Sequence, residues 1–318
     1  MNLDPLEAVH FHKTDPGVRW SKGTFISIDL DRPLDSTKIL TPNVIQMDGG
    51  YRMYYTGLGP ARKGTNGYIL SAYSHNAETW TKDEGIRVDV CEPDGSLRTL
   101  CPDVIPLAHG GYRMYFEARA AERPTVILSA ASDDGLDWSV EPGVRFGDDH
   151  WSYGSPRCIY IDDSSASRLY FHRYTYPMRS GIDAGNVIIS AISTDGLTFE
   201  AEPGTRIPQE TERETYAVYA PEVLRLGDGS YRIYYAAWTD EIAGGVFTAT
   251  SEDGLTWRKD ADVCVDLGSP LDCKMVSKPC VIELADGRSR LFYEASDSEG
   301  RCRILSATSP IGPPEAMA

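Results

Sequence analysis

Five segments of the sequence carry a proline at the same place in an apolar run, and the next residue is polar in most of them. The prolines are Pro42, Pro102, Pro156, Pro221 and Pro279. The residues that follow them are Asn43, Asp103, Arg157, Glu222 and Cys280. Because side chains alternate along a strand, these positions should all face the same way. Carboxylates beside an arginine suit acid/base chemistry, since the cation keeps one carboxylate ionised while apolar walls make another a proton donor.

A second set of reactive and aromatic residues stands where the following strands should end. Its members are Glu117, Arg119, His172, Trp238 and Glu294. The loops before the proline segments add Trp151, Tyr153 and Lys278. Aromatic rings pack against the C–H faces of sugars, and carboxylates bind hydroxyls or act as acid/base pairs. We therefore expect a carbohydrate site in which Asp103, Glu222 and Glu117 are catalytic. The other residues of this set, together with Asn43 and Arg157, are expected to bind substrate.

Each of these residues also has a purely structural interpretation. Asp103 and Glu222 would pair with Arg157 only to close a central channel. Glu117 would pair with Arg119 at a strand end, and the histidine and tryptophans of the second set would be interior packing residues. The functional interpretation depends on the convergence of these side chains on one face.

The elements that must position these residues repeat along the chain. Segments such as TPNVIQMDGGYRMYYTG and APEVLRLGDGSYRIYYAAW start near residues 41, 101, 155, 220 and 278. A second pair of segments follows in each unit, such as VILSAASDDGLDW from Val126. Runs of Val, Ile and Tyr bounded by Asp-Gly turns indicate antiparallel strands, and helical periodicity is missing over any long window. We expect the serine-aspartate-glycine turns to be structural, with a packing aromatic residue.

Four strands in each of five units predict an all-β fold, a five-bladed β-propeller with four-stranded antiparallel blades. The fifth unit ends after RILSATSP, without a fourth strand. The N-terminal DPGVRW at 15–20 matches EPGVRF at 141–146, the end of a fourth strand in unit two. We therefore expect the segment 6–20 to complete the last blade and leave no open edge, so that residues 1–318 form a single domain.

Composition narrows the class of protein. The chain of 318 residues is 41% hydrophobic, enough for a large core, and its net charge is −16. It has no apolar run long enough for a membrane span and no basic-then-apolar leader. An acidic surface disfavours nucleic acids and anionic membranes, which select Lys/Arg patches. Seven cysteines without a CxxC pair predict reduced thiols, and hence a cytoplasmic protein without zinc.

The segment YAPEVLRLGDGSYRIYYAAW resembles the blades of the five-bladed propeller glycosidases, the superfamily of arabinanases, β-xylosidases, invertases, levansucrases and mannoside phosphorylases. The resemblance extends over all five units. It implies a sugar site at the channel mouth that uses two or three carboxylates, and a channel calcium in some relatives. No loop here has the calcium-binding EF-hand spacing, so we predict neither metal nor cofactor.

The usual catalytic motif of that superfamily is missing. Arabinanase-like members place a base Asp directly before the first proline, where this chain has Thr41. Invertase-like members place an acid Glu where this chain has Tyr219. No catalytic residue is therefore carried over from the resemblance.

Three functions fit these observations. The preferred one is a glycoside hydrolase with Asp103 and Glu222 as the acid/base pair and Glu117 in reserve for either role. The second is an intracellular glycoside phosphorylase, in which phosphate is bound by Arg157, His172 and Lys278. The third is a non-catalytic glycan-binding propeller, because fold alone does not decide function.

Overall fold

The computed structural model describes residues 10–47, 49–62, 65–161, 166–176, 185–240 and 243–310. Within these ranges the regular structure is β-strand, apart from one 3-10 turn at Pro33–Asp35. This confirms the prediction of an all-β chain. The same ranges contain no helix long and apolar enough to cross a membrane.

The strands, numbered β1 to β22, pair mainly in five consecutive antiparallel groups, which we call units one to five. The first two strands are Phe11–His12 and Ser21–Ile28. Unit one contains β3 to β6, at Lys38–Met47, Gly50–Arg62, Thr65–Ser74 and Thr81–Lys82. Unit two contains β7 to β10, at Arg98–Pro106, Tyr112–Arg119, Val126–Ser132 and Ser139–Val140. Unit three contains β11 to β14, at Trp151–Tyr160, Ser167–Thr175, Val187–Ser193 and Glu200–Ala201.

The last two units follow the same pattern with two additions. Strands β15 to β19 are Ala217–Leu226, Tyr231–Trp238, Ala243–Gly244, Val246–Ser251 and Arg258–Lys259. All of them except β17 form unit four, and β17 pairs with β20 of unit five in parallel. Strands β20 to β22 are Met275–Glu283, Ser289–Ser296 and Cys302–Thr308. They form unit five together with β2, which pairs antiparallel with β22.

Buried apolar clusters lie between neighbouring units. Each of five such clusters joins two units, and the one that contains Met53 and Phe292 joins unit five back to unit one. The first strands of the units contact one another in the order β3, β7, β11, β15, β20 and again β3. Side chains on both faces of the second strands are therefore buried, as expected for sheets stacked between two neighbours.

In several units a tyrosine of the second strand binds the next unit, at the turn between that unit's third and fourth strands, which we call the third turn. Tyr54, for example, donates its hydroxyl hydrogen bond to the carbonyl of Gly135 at 2.9 Å. Trp138, which ends that turn, packs edge-on against the same tyrosine at a centroid distance of 5.7 Å. Tyr170 makes the same hydrogen bond to Gly254 at 2.8 Å. These turns have the structural role that the sequence predicts.

The N-terminal segment needs a correction. The strand that pairs with β22 is Ser21–Ile28, not the predicted segment 6–20, of which residues 6–9 lie outside the described ranges. Residues 15–20 instead make the contacts that the third turn of unit five would make with unit four. Tyr234 donates to the carbonyl of Gly17 at 2.7 Å, and Trp20 packs edge-on against that tyrosine at 5.8 Å. The DPGVRW sequence resembles the end of a fourth strand, whereas its contacts match those of the turn before it.

Each first strand contains a bulge beside its proline. In unit one Leu40 pairs with Thr56 and Asn43 with Tyr54, so that one residue of β3 is extra, and the other four units repeat this shift. The residues directly before the prolines have φ between +49° and +55°, and they are Thr41, Cys101, Ser155, Ala220 and Lys278. This left-handed conformation is uncommon outside glycine and re-aims side chains at a bulge. The bulges separate a cavity on one side from a buried network on the other.

Candidate functional site

A cavity of about 340 Å³ opens where the second strands end. It is lined by residues of units two to five. They are Glu117, Arg119, Thr125, Ser152, His172, Tyr174, Tyr176, Asn186, Ala217, Tyr219, Trp238, Lys278 and Glu294. The cavity has the size of a small-molecule site and combines aromatic walls with a few charged groups, as ligand pockets do.

The second strands contribute two levels of side chains. The lower level holds Glu117, His172 and Glu294, whose strand partners Leu100, Gly154 and Ser277 all stand two residues before a proline. The upper level lies two residues later on the same strands, because alternate residues share a face. Its cavity-lining members are Arg119, Tyr174 and Trp238.

The two glutamates of the lower level are held by backbone groups. Oε2 of Glu117 accepts a hydrogen bond from the Ser155 N–H at 3.3 Å and from the Cys101 thiol at 3.4 Å. Oε2 of Glu294 accepts one from the Thr41 N–H at 3.2 Å. Burial raises the pKa of Glu294, although Lys278 and the Thr41 N–H act against it. Glu294 is therefore suited to hold a proton.

Lys278 places a cation beside these carboxylates. Its Nζ lies 3.9 Å from Oε2 of Glu294 and donates to the Cys101 sulfur at 3.6 Å. Burial works against the ammonium, but Cys101, Glu294 and Glu117 outweigh burial and raise the pKa of Lys278. The lysine thus stays charged on the cavity floor.

An aromatic wall faces the carboxylates from units three and four. His172 stacks on Tyr174 with centroids 4.9 Å apart, and Tyr219 packs edge-on against Trp238 at 5.2 Å. Burial, with a smaller contribution from Lys278, lowers the pKa of His172 to about 3, so the imidazole is neutral. Its Nδ1 and the Trp238 Nε1 are buried without a hydrogen-bond partner among the described residues. A sugar hydroxyl, which can both donate and accept, would satisfy either nitrogen.

Asp103 and Glu222 do not line this cavity. Both are 0% exposed, in a network below the bulges. Arg157 donates from Nε to Glu222 at 2.5 Å and to the carbonyls of Pro42 and Pro102 at 3.0 Å.

The carboxylates of this network also accept backbone hydrogen bonds. Asp103 accepts from the Cys158 N–H at 2.6 Å, and Glu222 accepts from the Val281 N–H at 2.8 Å. Asn43 donates to Asp103 at 3.1 Å. The predicted convergence of Asn43, Asp103, Arg157 and Glu222 therefore occurs, but it occurs in a buried network that is separate from the cavity. The oxygens of both carboxylates are already hydrogen-bonded within the protein, and we correct the expectation that Asp103 and Glu222 face a substrate.

The remaining sequence candidates divide between the cavity and its surroundings. Glu117, Arg119, His172, Trp238, Lys278 and Glu294 line the cavity. Trp151 and Tyr153 do not. The Arg173 guanidinium lies 4.4 Å from the Trp151 ring, and Tyr153 is buried with its hydroxyl bonded to Asp148. Their expected contact with substrate is therefore corrected to a packing role.

The sequence reasoning missed several lining residues, above all Tyr174 and Tyr219. Tyr174 stands two residues after His172 and Tyr219 two residues before Pro221. Both could have been found by extending the strand alternation to the next residue on the same face. Asn186 and Ser152 carry no comparable pattern.

Metal-binding groups are not assembled in the part of the chain that is described. No cluster of three or more His, Cys, Asp or Glu side chains there is arranged to hold a metal ion. All seven cysteines are free thiols.

Two relatives in Mycobacterium tuberculosis share extended sequence similarity with this chain. The uncharacterized protein MT1551 of strain CDC 1551 / Oshkosh is 33% identical over 219 residues, which are 63% of this chain and 69% of the relative. The uncharacterized protein Rv1502 of strain H37Rv is 33% identical over 142 residues, 43% of this chain and 45% of the relative. The second alignment thus spans less than half of that relative. No protein-family model matches the chain.

Solved structures share the fold over nearly the full chain. A glycoside hydrolase superposes with a TM-score of 0.75 at 16% identity, covering 94% of this chain and 95% of the other. A structure of a BT0996 RGII complex has a TM-score of 0.74 at 17% identity, with the same coverage of 94% and 95%. The endo-arabinase of Bacteroides thetaiotaomicron has a TM-score of 0.67 at 17% identity, covering 92% and 99%. At such identities the similarity establishes the fold shared with glycoside hydrolases.

Proposed function

Because this chain belongs to the family of the Mycobacterium tuberculosis protein MT1551, whose name carries no activity, we propose its function from the site: it is a glycoside hydrolase that acts in the cavity of units two to five. The observation that carries this proposal is the pair of glutamates, Glu117 and Glu294, at equivalent strand positions around one aromatic-walled cavity. Glycoside hydrolysis generally uses two such carboxylates. The fold shared with glycoside hydrolases supports the same conclusion.

We further propose that the five units form the predicted five-bladed propeller, closed by the N-terminal segment. The cyclic order of contacts among the first strands and the cluster joining units five and one support this closure. The ring would explain why one cavity draws on residues from four units. The free thiols support the proposal of a cytoplasmic location.

Glu294 is proposed as the general acid. Its raised pKa favours the protonated form, which gives its proton to the glycosidic oxygen as the bond to the anomeric carbon breaks. Glu117 takes a proton from the attacking water, whose oxygen forms the new bond to that carbon. The leaving sugar then carries the proton from Glu294, and Glu117 carries the proton from water. Glu117 loses its proton to solvent and Glu294 regains one, which restores the resting enzyme.

The closed floor of the cavity supports a terminal sugar as the cleaved residue. Beneath Lys278 and the residues before the prolines, the Arg157 guanidinium occupies the channel. A sugar that enters from the mouth would therefore meet a blind end, with its ring against Trp238 or Tyr174.

Two substitutions test the catalytic pair. On a panel of aryl glycosides and disaccharides, each assayed with and without phosphate, Glu117→Gln and Glu294→Gln should each lower kcat by about 10²- to 10⁴-fold. Glu252→Gln, an exposed carboxylate in a unit-four turn, is the control and should retain the full rate. Wild-type rates in both glutamine variants, or turnover that requires phosphate, would exclude this mechanism.

A further inference from the structure

Arg119 differs from the arginines near the start of the second strands. Arg113 and Arg168, for example, are bound by Glu141 and Glu202 at 2.9 and 2.8 Å. Arg119 is exposed, lines the cavity and has no side-chain hydrogen bond or ion pair among the described residues. A guanidinium whose N–H donors are unpaired within the described part of the chain is available to an anionic ligand.

The upper level of the cavity surrounds this guanidinium with further recognition groups. Tyr174 and Trp238 occupy equivalent positions on the second strands of units three and four. The Trp238 Nε1 is a buried donor without an acceptor among the described residues. Arginine N–H groups and an indole N–H are all donors, so this level offers donors to an anion and a ring face to a sugar.

We propose that this upper level binds an anionic substituent of the substrate, the carboxylate of a uronosyl residue or the ester anion of a sulfated or phosphorylated sugar. The inference rests on the proposed function, because it places the anionic substituent on the sugar next to the terminal sugar whose glycosidic bond Glu117 and Glu294 cleave. The planar guanidinium binds carboxylates and phosphates through two parallel hydrogen bonds, which a neutral hydroxyl does not match. Arg119 is thus a specificity-determining residue, above the reacting bond.

The test compares acidic and neutral sugars that are otherwise identical. Calorimetry measures binding of methyl glucuronoside against methyl glucoside, methyl galacturonoside against methyl galactoside, and sulfate and phosphate esters against their parent sugars. Inorganic phosphate is titrated separately. Each is measured with the wild type, with Arg119→Gln, and with Arg98→Gln. Arg98 pairs with Arg119 across β7 and β8 but does not line the cavity, so it is the matched control.

The acidic member of at least one pair should bind the wild type about 10- to 100-fold tighter, as expected for a hydrogen-bonded charge pair. Arg119→Gln should remove that preference and leave the neutral sugar unchanged, whereas Arg98→Gln should keep it. Which ester or uronoside shows the preference identifies the anion. Equal binding of both members, a preference that survives Arg119→Gln, or binding of inorganic phosphate without any acidic sugar would overturn the inference.

Turnover separates this inference from the proposed function. Hydrolysis of acidic and neutral glycosides at equal rates, neither of which Arg119→Gln changes, would leave the hydrolase standing and reject the anionic site. An Arg119-dependent preference without turnover of any glycoside would support the anionic site and reject hydrolysis.

Discussion

At the scale of single residues, the carboxylates differ in what surrounds their oxygens. The carboxylate oxygens of Asp103 and Glu222 accept hydrogen bonds from backbone N–H groups, Glu222 also accepts one from Arg157, and neither residue is exposed. Glu117 and Glu294 are 8% and 4% exposed and line the cavity. Carboxylates therefore have a structural role in the buried network, and we propose a catalytic role for those that line the cavity.

This division predicts opposite effects of neutralising the two kinds of carboxylate. Asp103→Asn should lower the free energy of unfolding by about 3–5 kcal/mol, because it removes the carboxylate that faces both His10 and Arg157 and leaves one buried cation without its counter-charge. The folded fraction should keep its kcat. Denaturant titration and assay of the same samples measure both quantities. Glu117→Gln is the matched comparison and should lose activity with a smaller loss of stability; a stable but inactive Asp103→Asn would reverse the assignment.

The sequence could identify these residues but not their separation into layers. Alternation along a strand correctly gathers Asn43, Asp103, Arg157 and Glu222 around one axis. The bulge beside each proline adds one unpaired residue to the first strand and so shifts which face the following side chains occupy. The residue with left-handed φ before each proline is not a glycine, so the sequence carries no mark of the bulge. Without that signal, the sequence does not reveal that the second-strand residues line a cavity separate from the network of Asp103 and Glu222.

At the scale of elements, the N-terminal segment performs two tasks. β2 supplies the fourth strand of unit five, while β1 runs parallel to β15 and pairs with its last two residues. Just before β1, His10 lies 3.2 Å from Asp103 and 3.9 Å from Glu222. The segment therefore carries a titratable group into the buried network.

The histidine predicts a pH-dependent stability. Burial opposes the imidazolium, but Asp103, by charge and hydrogen bond, and Glu222 outweigh burial and the Arg157 charge, so that the pKa of His10 is raised. A raised folded-state pKa stabilises the fold below the unfolded value of about 6.5, and this stability is lost as the pH rises through the folded value. Burial lowers the pKa of His12 to about 4, so His12 changes the stability with pH in the opposite direction. This contribution is the same in the wild type and in a His10 variant, so a comparison of the two removes it.

Urea denaturation of the wild type and His10→Gln at pH 6 and pH 9 isolates this contribution. The wild type should exceed the variant in unfolding free energy by more at pH 6 than at pH 9. An equal difference at the two pH values would show that His10 acts by packing alone.

At the scale of the whole molecule, the repeat is what the sequence revealed best. Tyrosine-rich strands and Asp-Gly turns recurring in five segments predict an all-β chain, because each unit needs neighbours on both faces to bury its side chains. The pattern misplaces the N-terminal turn by a few residues, since DPGVRW resembles one part of a unit and packs as another. The cavity could not be derived from any single unit, because its lining comes from four of them.

The central claim is that Glu117 and Glu294 act on a sugar in this cavity. The most direct measurement is a crystal structure of Glu294→Gln soaked with the glycoside that the wild type cleaves. We expect a sugar ring against Trp238 or Tyr174, with its glycosidic oxygen about 3 Å from the residue-294 amide and a water between Glu117 and the anomeric carbon. A sugar bound outside the cavity, or inside it with the glycosidic oxygen beyond reach of both residues, would contradict the catalytic role of Glu117 and Glu294.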